Sequence, residues 1–246
     1  MLLSACWLSH DPLGADGPVE PEVPGEPDEP PVPEPDRDLR IAVVVDGSQS
    51  MAVSDPPSPV DGRGRVHRAL EELVSARLPE DALLLAEASG LVSVLTQCDS
   101  DGDGIYDRDC YTRDAAEARL AIGRLQAHGL VESWSANVAD VDAVVRLDLA
   151  EQATPATARW IVILITDEGG AVSEDAEDAA TLVAALRADV ERSGAGFVLS
   201  AVVLDTAFGG AGTQVAGPLV EAGGGSLQRV PTGEAIDLRL LVADGP

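Results

Sequence analysis

Four runs of seven to nine residues, Leu39–Val45, Ala82–Ala88, Trp160–Thr166 and Gly196–Leu204, are apolar almost without a break. A strand with one face in water alternates apolar and polar residues, whereas a strand that does not alternate must be covered on both faces. Between these runs apolar residues return at helical spacing. Val66, Ala69, Leu70, Leu73 and Val74 form one such stripe, and Val138, Val141, Val144, Val145 and Leu149 another. Strands that alternate with helices imply right-handed crossovers and a doubly wound α/β fold, with a mainly parallel central sheet between two helical layers. Aromatic residues are 3% of the chain against 45% hydrophobic residues in all, so Val, Leu, Ile and Ala must build the core.

Weaker signals complete the domain. Ser89-Gly90 reads as a hairpin turn, which makes Leu91–Thr96 an antiparallel edge strand. Asp114 is placed to cap a helix carrying Ala118, Ile122 and Leu125 and ending near Gly129. Further helices are expected after Asn137, from Ser173 or Glu174 to Arg192, over Val215–Ala222 and over Ile236–Val242, with a strand at Ser226–Val230. The domain so defined spans residues 39–246.

Residues 1–38 are of another kind. From Asp11 to Asp38 the chain holds nine of its seventeen prolines and ten acidic residues, with no apolar periodicity. Such a segment cannot bury enough apolar area to offset its ordering entropy, and it is expected to be a disordered, extended spacer. Ahead of it, Leu3-Ser4-Ala5-Cys6 resembles a bacterial lipobox. That resemblance implies lipidation at Cys6, with the charged and apolar parts of the signal upstream of Met1. Trp7 is not an inner-membrane retention signal of the Asp type, so the expected location is the bacterial cell envelope, at the outer membrane or cell surface. No run approaches the roughly eighteen apolar residues of a spanning helix, so the lipid alone would hold the membrane.

The formal net charge is -27, from 43 acidic and 16 basic residues, and every basic residue is Arg. Nucleic acid is excluded as a partner, because phosphate binding needs a positive stripe this chain cannot assemble. The sharper reading of the acidity is cation binding. Ligands of open α/β sheets gather at the carboxyl ends of the strands, and there, after Leu39–Val45, stands Asp46-Gly47-Ser48-Gln49-Ser50-Met51. A hard divalent cation such as Mg²⁺ takes octahedral oxygen ligands at about 2.1 Å. Ser48 and Ser50 offer neutral hydroxyls and Asp46 the charge, which leaves the ion able to attract one more carboxylate. Gly47 lets the backbone turn tightly beneath it.

This stretch resembles the metal-ion-dependent adhesion site of von Willebrand factor A domains, a D-x-S-x-S pattern after an apolar first strand. The order of expected elements from Leu39 to Val242 is similar to that fold. The resemblance implies Mg²⁺ or Mn²⁺ at the site, an acidic contribution from Asp167 after Trp160–Thr166, and a protein partner whose carboxylate completes the shell. Two departures stand out. Glu168 follows Asp167 where the family usually has Gly, and it either adds charge to the site or faces solvent. The third loop normally supplies a Thr. Ala136 falls at that place, which leaves Ser135 or Asn137 as the nearest oxygen donors. Trp134 beside them either meets a partner or packs.

A second acidic pattern lies in "CDSDGDGIYDRDC". Asp99, Asp101, Asp103 and Asp107, with the carbonyl of Ile105, match the opening of an EF-hand-type loop, but Cys110 stands where the bidentate Glu belongs. The run is closer to the loops of thrombospondin type 3 repeats, and Ca²⁺ is the expected ligand. Cys98 and Cys110 close it, and a disulfide between them suits an oxidising compartment. Topology puts this loop at the end of the sheet opposite Asp46.

The function these readings favour is a non-enzymatic, envelope-tethered binding or adhesion module that grips a protein through a divalent metal. The alternative is a structural, calcium-stabilised surface lipoprotein with a degenerate adhesion site. A phosphotransferase of the haloacid-dehalogenase type also begins with Asp after an apolar strand, but it needs a second Asp where this chain has Ser48. His10 lies in the spacer, and His67 and His128 fall on expected helices without a paired nucleophile.

Overall fold

A computed structural model describes residues 38–77, 79–88, 93–99, 105–125, 134–167, 174–205 and 213–243. The readings of Cys6, His10, the spacer as far as Arg37, Ser89-Gly90, Asp101, Asp103, His128, Gly129 and Glu168 lie outside the described residues, while Asp38, read as the last residue of the spacer, opens the first strand.

The apolar runs form the sheet. Its strands are β1 (Asp38–Asp46), β2 (Ala82–Ala88), β3 (Ser93–Val94), β6 (Ala158–Thr166), β7 (Gly196–Leu204) and β8 (Gly224–Val230), in the order β3-β2-β1-β6-β7-β8. Five strands run parallel, and β3 pairs antiparallel with β2 through Ala86↔Val94 and Glu87↔Ser93. A separate two-stranded antiparallel unit, β4 (Gln97–Asp99) with β5 (Tyr106–Asp109), flanks the Asp-rich loop. The doubly wound, mainly parallel fold read from the sequence is therefore the fold observed.

Both faces of the sheet are covered, which is why its central strands do not alternate. Ala42, Val44, Val162 and Leu164 face α4 (Trp134–Glu151), α5 (Glu174–Arg192) and α6 (Thr213–Gly223). Ile41, Val43, Val45, Ile161, Ile163 and Ile165 face α2 (Arg65–Ala76), α3 (Ala115–Arg124) and α7 (Leu238–Ala243). Arg40, the one break in the first run, is buried and forms ion pairs with Asp38 and, at 3.0 Å, with Asp148 of α4. A guanidinium survives inside a sheet when its charge is matched in this way.

Several boundaries differ from expectation. The edge strand is two residues long among the described residues. The Asp114 helix ends at Arg124, earlier than Gly129; its cap is as expected, Asp114 Oδ1 accepting from Ala116 N–H at 2.8 Å. The helix expected after Asn137 begins at Trp134, because Asp175 of α5 supplies an N-terminal acceptor from outside the segment. A one-turn helix, α1 (Met51–Ser54), was not expected at all.

The Asp-rich hairpin sits where topology demanded. Cys98 and Cys110 are joined by a disulfide, and Arg108 of β5 binds Glu151, the last residue of α4, at 2.9 Å. The first residues of α4 stand at the other end of its 18-residue length, about 27 Å away.

Candidate functional site

β1 and β6 lie side by side at the centre of the sheet, and Asp46 and Asp167 stand at their carboxyl ends. Both carboxylates are buried. The chain leaves β1 through a tight turn pinned by the Gly47 N–H, which donates to the Ala88 carbonyl at 2.7 Å. A Cβ at Gly47 would lie 2.5 Å from Glu87 Oε1, so any larger residue there must displace that buried side chain.

That turn folds Ser48 and Ser50 back over the carboxylates. Ser48 N–H donates to Asp46 Oδ1 at 2.7 Å. The Ser48 and Ser50 hydroxyls lie 2.7 Å apart, and Ser50 donates to Asp167 Oδ1 at 2.8 Å. A hydroxyl has one proton, so with Ser50 giving its own to Asp167, Ser48 is the donor of the serine pair. One hydrogen-bonded run, through the Ser48 N–H and the two serine hydroxyls, therefore joins four of the six residues singled out from the sequence. Burial raises the Asp46 carboxyl above its ordinary value, with the Asp167 charge adding to it, against hydrogen bonds from Ser48 and Thr166. A buried carboxylate in that position gains from any cation that neutralises it.

Two further hydroxyls complete the group. Thr166 donates to Asp46 Oδ2 at 2.7 Å, and Ser54 donates to Asp167 Oδ2. Ser54 ends α1, four residues after Ser50, and nothing in the spacing marks it as a partner of Asp167. Its carbonyl accepts from Arg65 Nη2 at 2.8 Å, and Asp55 caps α2 by accepting from the Arg65 and Val66 N–H groups at 2.6 and 2.9 Å.

Ser135 and Asn137 are placed differently. The Ser135 hydroxyl and N–H donate to Asp175, as does Trp134 N–H at 2.6 Å. Asn137 is buried against Val44, Leu164 and Phe197, and neither its Oδ1 nor its Nδ2 has a hydrogen-bond partner among the described residues. The hydrogen-bonded group at Asp46 and Asp167 thus includes neither. Trp134 is buried, so it packs. On the other side of Asp46 a cavity of about 220 Å³ opens between Met51, Asp55, Val66, His67 and Glu87. Burial lowers the His67 pKa, against the pull of the Asp55 carboxylate.

The donor set is two carboxylates and two serine hydroxyls around one turn, the oxygen chemistry a hard divalent cation takes. Among the described residues no group of three or more His, Cys, Asp or Glu side chains is arranged to hold a metal. In the Asp-rich loop, Asp99 closes β4 and is half-buried, while Ile105 and Asp107 are exposed.

No protein-family model and no curated protein matches the chain. Solved structures do. A von Willebrand factor type A protein from Catenulispora acidiphila superposes with a TM-score of 0.52 at 16% identity, over 84% of this chain and 41% of that one. BatB, a conserved hypothetical protein from Bacteroides thetaiotaomicron, gives 0.51 at 16% identity, over 83% and 94%. The PilB minor pilin from Streptococcus sanguinis, as its D319A mutant, gives 0.55 at 10% identity, over 88% and 65%. At these identities the likeness is one of fold.

Proposed function

We propose that this chain, a von Willebrand factor A fold, is a binding module that holds a divalent cation at Asp46, Ser48, Ser50 and Asp167 and grips a protein partner through it. The observation that carries the reading is the hydrogen-bonded run from Asp46 through Ser48 and Ser50 to Asp167 at the carboxyl ends of the two central strands. Mg²⁺ or Mn²⁺ would be held by these oxygens and would supply a positive charge short of full neutralisation. A carboxylate offered by the partner satisfies it. Ser135 and Asn137 stand outside the ligand set in this reading, since the Ser135 hydroxyl is engaged by Asp175 and Asn137 is buried among apolar side chains. The module is not an enzyme in our reading.

Around this site the rest of the chain forms a surface protein. Cys6 carries a lipid, the acidic spacer forms a stalk, and the loop from Asp99 through Asp101, Asp103 and Ile105 to Asp107 binds Ca²⁺ as a structural ion. The resulting place is the bacterial envelope, at the outer membrane or cell surface. One protein of similar fold is, by name, a minor pilin. Among the described residues no helix is long and apolar enough to cross a membrane.

The test is capture of envelope or extracellular proteins by the domain with Mg²⁺ and with chelator. The chain carries a net charge of -27, so an acidic partner is repelled unless the cation intervenes, and salt alone does not replace the ion. Chelation and Asp46→Ala are expected to abolish binding alike, and Ser48→Ala or Ser50→Ala to weaken it. A partner retained both in chelator and by Asp46→Ala would show that the domain binds through its loops alone.

A further inference from the structure

Each buried carboxylate of the site has one oxygen turned to the serines and one held from elsewhere. Asp46 Oδ1 and Asp167 Oδ1 accept from Ser48 N–H and the Ser50 hydroxyl. Their other oxygens accept from Thr166 and Ser54, which lie outside the D-x-S-x-S run. Thr166 and Ser54 are 1% and 4% exposed. Neither is free to swing away. Thr166 ends β6 in register with Val203 of β7, and Ser54 ends α1, where Arg65 and the Asp55 cap fix the backbone.

With the far oxygens held by fixed, buried hydroxyls, the near oxygens, which share the D-x-S-x-S turn with Ser48 and Ser50, are the ones turned toward a cation held there. Chelating with both oxygens would turn the carboxylate off the hydroxyl that aims it and make the far oxygen share its lone pairs between that hydroxyl and the ion, in a place water does not reach, where a weakened buried hydrogen bond is costly. The two common hard cations respond differently to that restriction. Mg²⁺ keeps near-octahedral geometry and takes few protein oxygens beside its waters, while Ca²⁺ takes six to eight oxygens and is often chelated by both oxygens of a carboxylate.

We propose that Thr166 and Ser54 set the metal preference of the site: by holding the far oxygens of Asp46 and Asp167 they keep both carboxylates single-toothed and favour Mg²⁺ or Mn²⁺ over Ca²⁺. They are positioning residues and touch no metal themselves. The proposal rests on the metal-binding reading above and adds to it the residues that decide which ion enters.

The test is competition for bound Mn²⁺, followed by electron paramagnetic resonance on the full chain. Only the Mn²⁺ lost in Asp46→Ala is counted, which removes any contribution from the Asp-rich loop. Mg²⁺ is expected to displace this Mn²⁺ at lower concentration than Ca²⁺ does. Thr166→Val and Ser54→Ala are each expected to narrow that gap about tenfold, the lower end of what loss of an orienting partner does to a metal site. Thr166→Ser and Ser54→Thr, which keep the hydroxyl, are expected to restore it. A gap unchanged in both deletion variants, even with weaker affinity for every ion, or a wild-type site that prefers Ca²⁺, overturns the proposal. Wild-type chain with no Asp46-dependent Mn²⁺ overturns the metal-binding reading, and the preference falls with it. Should Thr166→Val not fold, Ser54→Ala at the end of a one-turn helix decides the matter.

Discussion

Asn137 shows what a single side chain costs when no partner is built for it. An amide buried without a hydrogen bond loses about 1–3 kcal/mol of solvation, and Asn137 has no partner for either amide atom in an apolar setting. Asn137→Leu, which keeps the branched heavy-atom skeleton and removes the polar atoms, is therefore expected to raise stability by about 1–3 kcal/mol in urea unfolding. The same variant should leave Asp46-dependent Mn²⁺ binding unchanged. A loss of that binding would return Asn137 to the ligand set. At this scale the sequence was most legible where function is written locally. Asp46, Ser48 and Ser50 share a five-residue stretch, and Asp167 ends the most apolar strand. Thr166 and Ser54 escaped because their roles depend on which oxygen of a distant carboxylate they reach. Spacing along the chain does not encode that.

The elements were read well where burial sets them and poorly where a partner from another segment does. β2 and β7 run over the residues expected, since nothing but continuous apolar character defines them. α4 begins three residues before Asn137, because its first N–H groups find Asp175 of α5, 40 residues away. One carboxylate there serves two helices, capping α4 while sitting in the first turn of α5, where the helix dipole also favours negative charge. Asp175→Ala is expected to cost about 1–2 kcal/mol, the upper part of the range for loss of a helix cap, and Asp175→Asn less. Amide exchange at Trp134 and Ser135 is the discriminating measurement. If their protection is unchanged in Asp175→Ala, the cap does not order this turn. α1 was missed for a related reason. Four residues are too few to show a period, and its last residue is fixed by a bond to Asp167.

For the whole molecule the sheet separates two ends, with the Asp46 group at one and the disulfide-closed hairpin at the other. Calcium added to Asp46→Ala protein is expected to stabilise the fold through the hairpin alone, by about 2.7 kcal/mol at roughly a hundred times its dissociation constant, read as a rise in melting temperature. Reduction of Cys98–Cys110 should diminish that gain. A melting temperature indifferent to saturating calcium would remove the ion from the Asp-rich loop. The direction of β1 has a mechanical consequence. The chain enters this strand at Asp38 and delivers Asp46 at its far end, with seven registered pairs to β2 on one side and eight to β6 on the other. Tension drawn between the segment before Asp38 and a ligand held at Asp46 runs along the strand axis. The covalent backbone of β1 carries the load that leaves at Asp46, and the part that leaves through Asp167 loads the β1–β6 ladder in shear, its bonds sharing the force and not peeling open one by one.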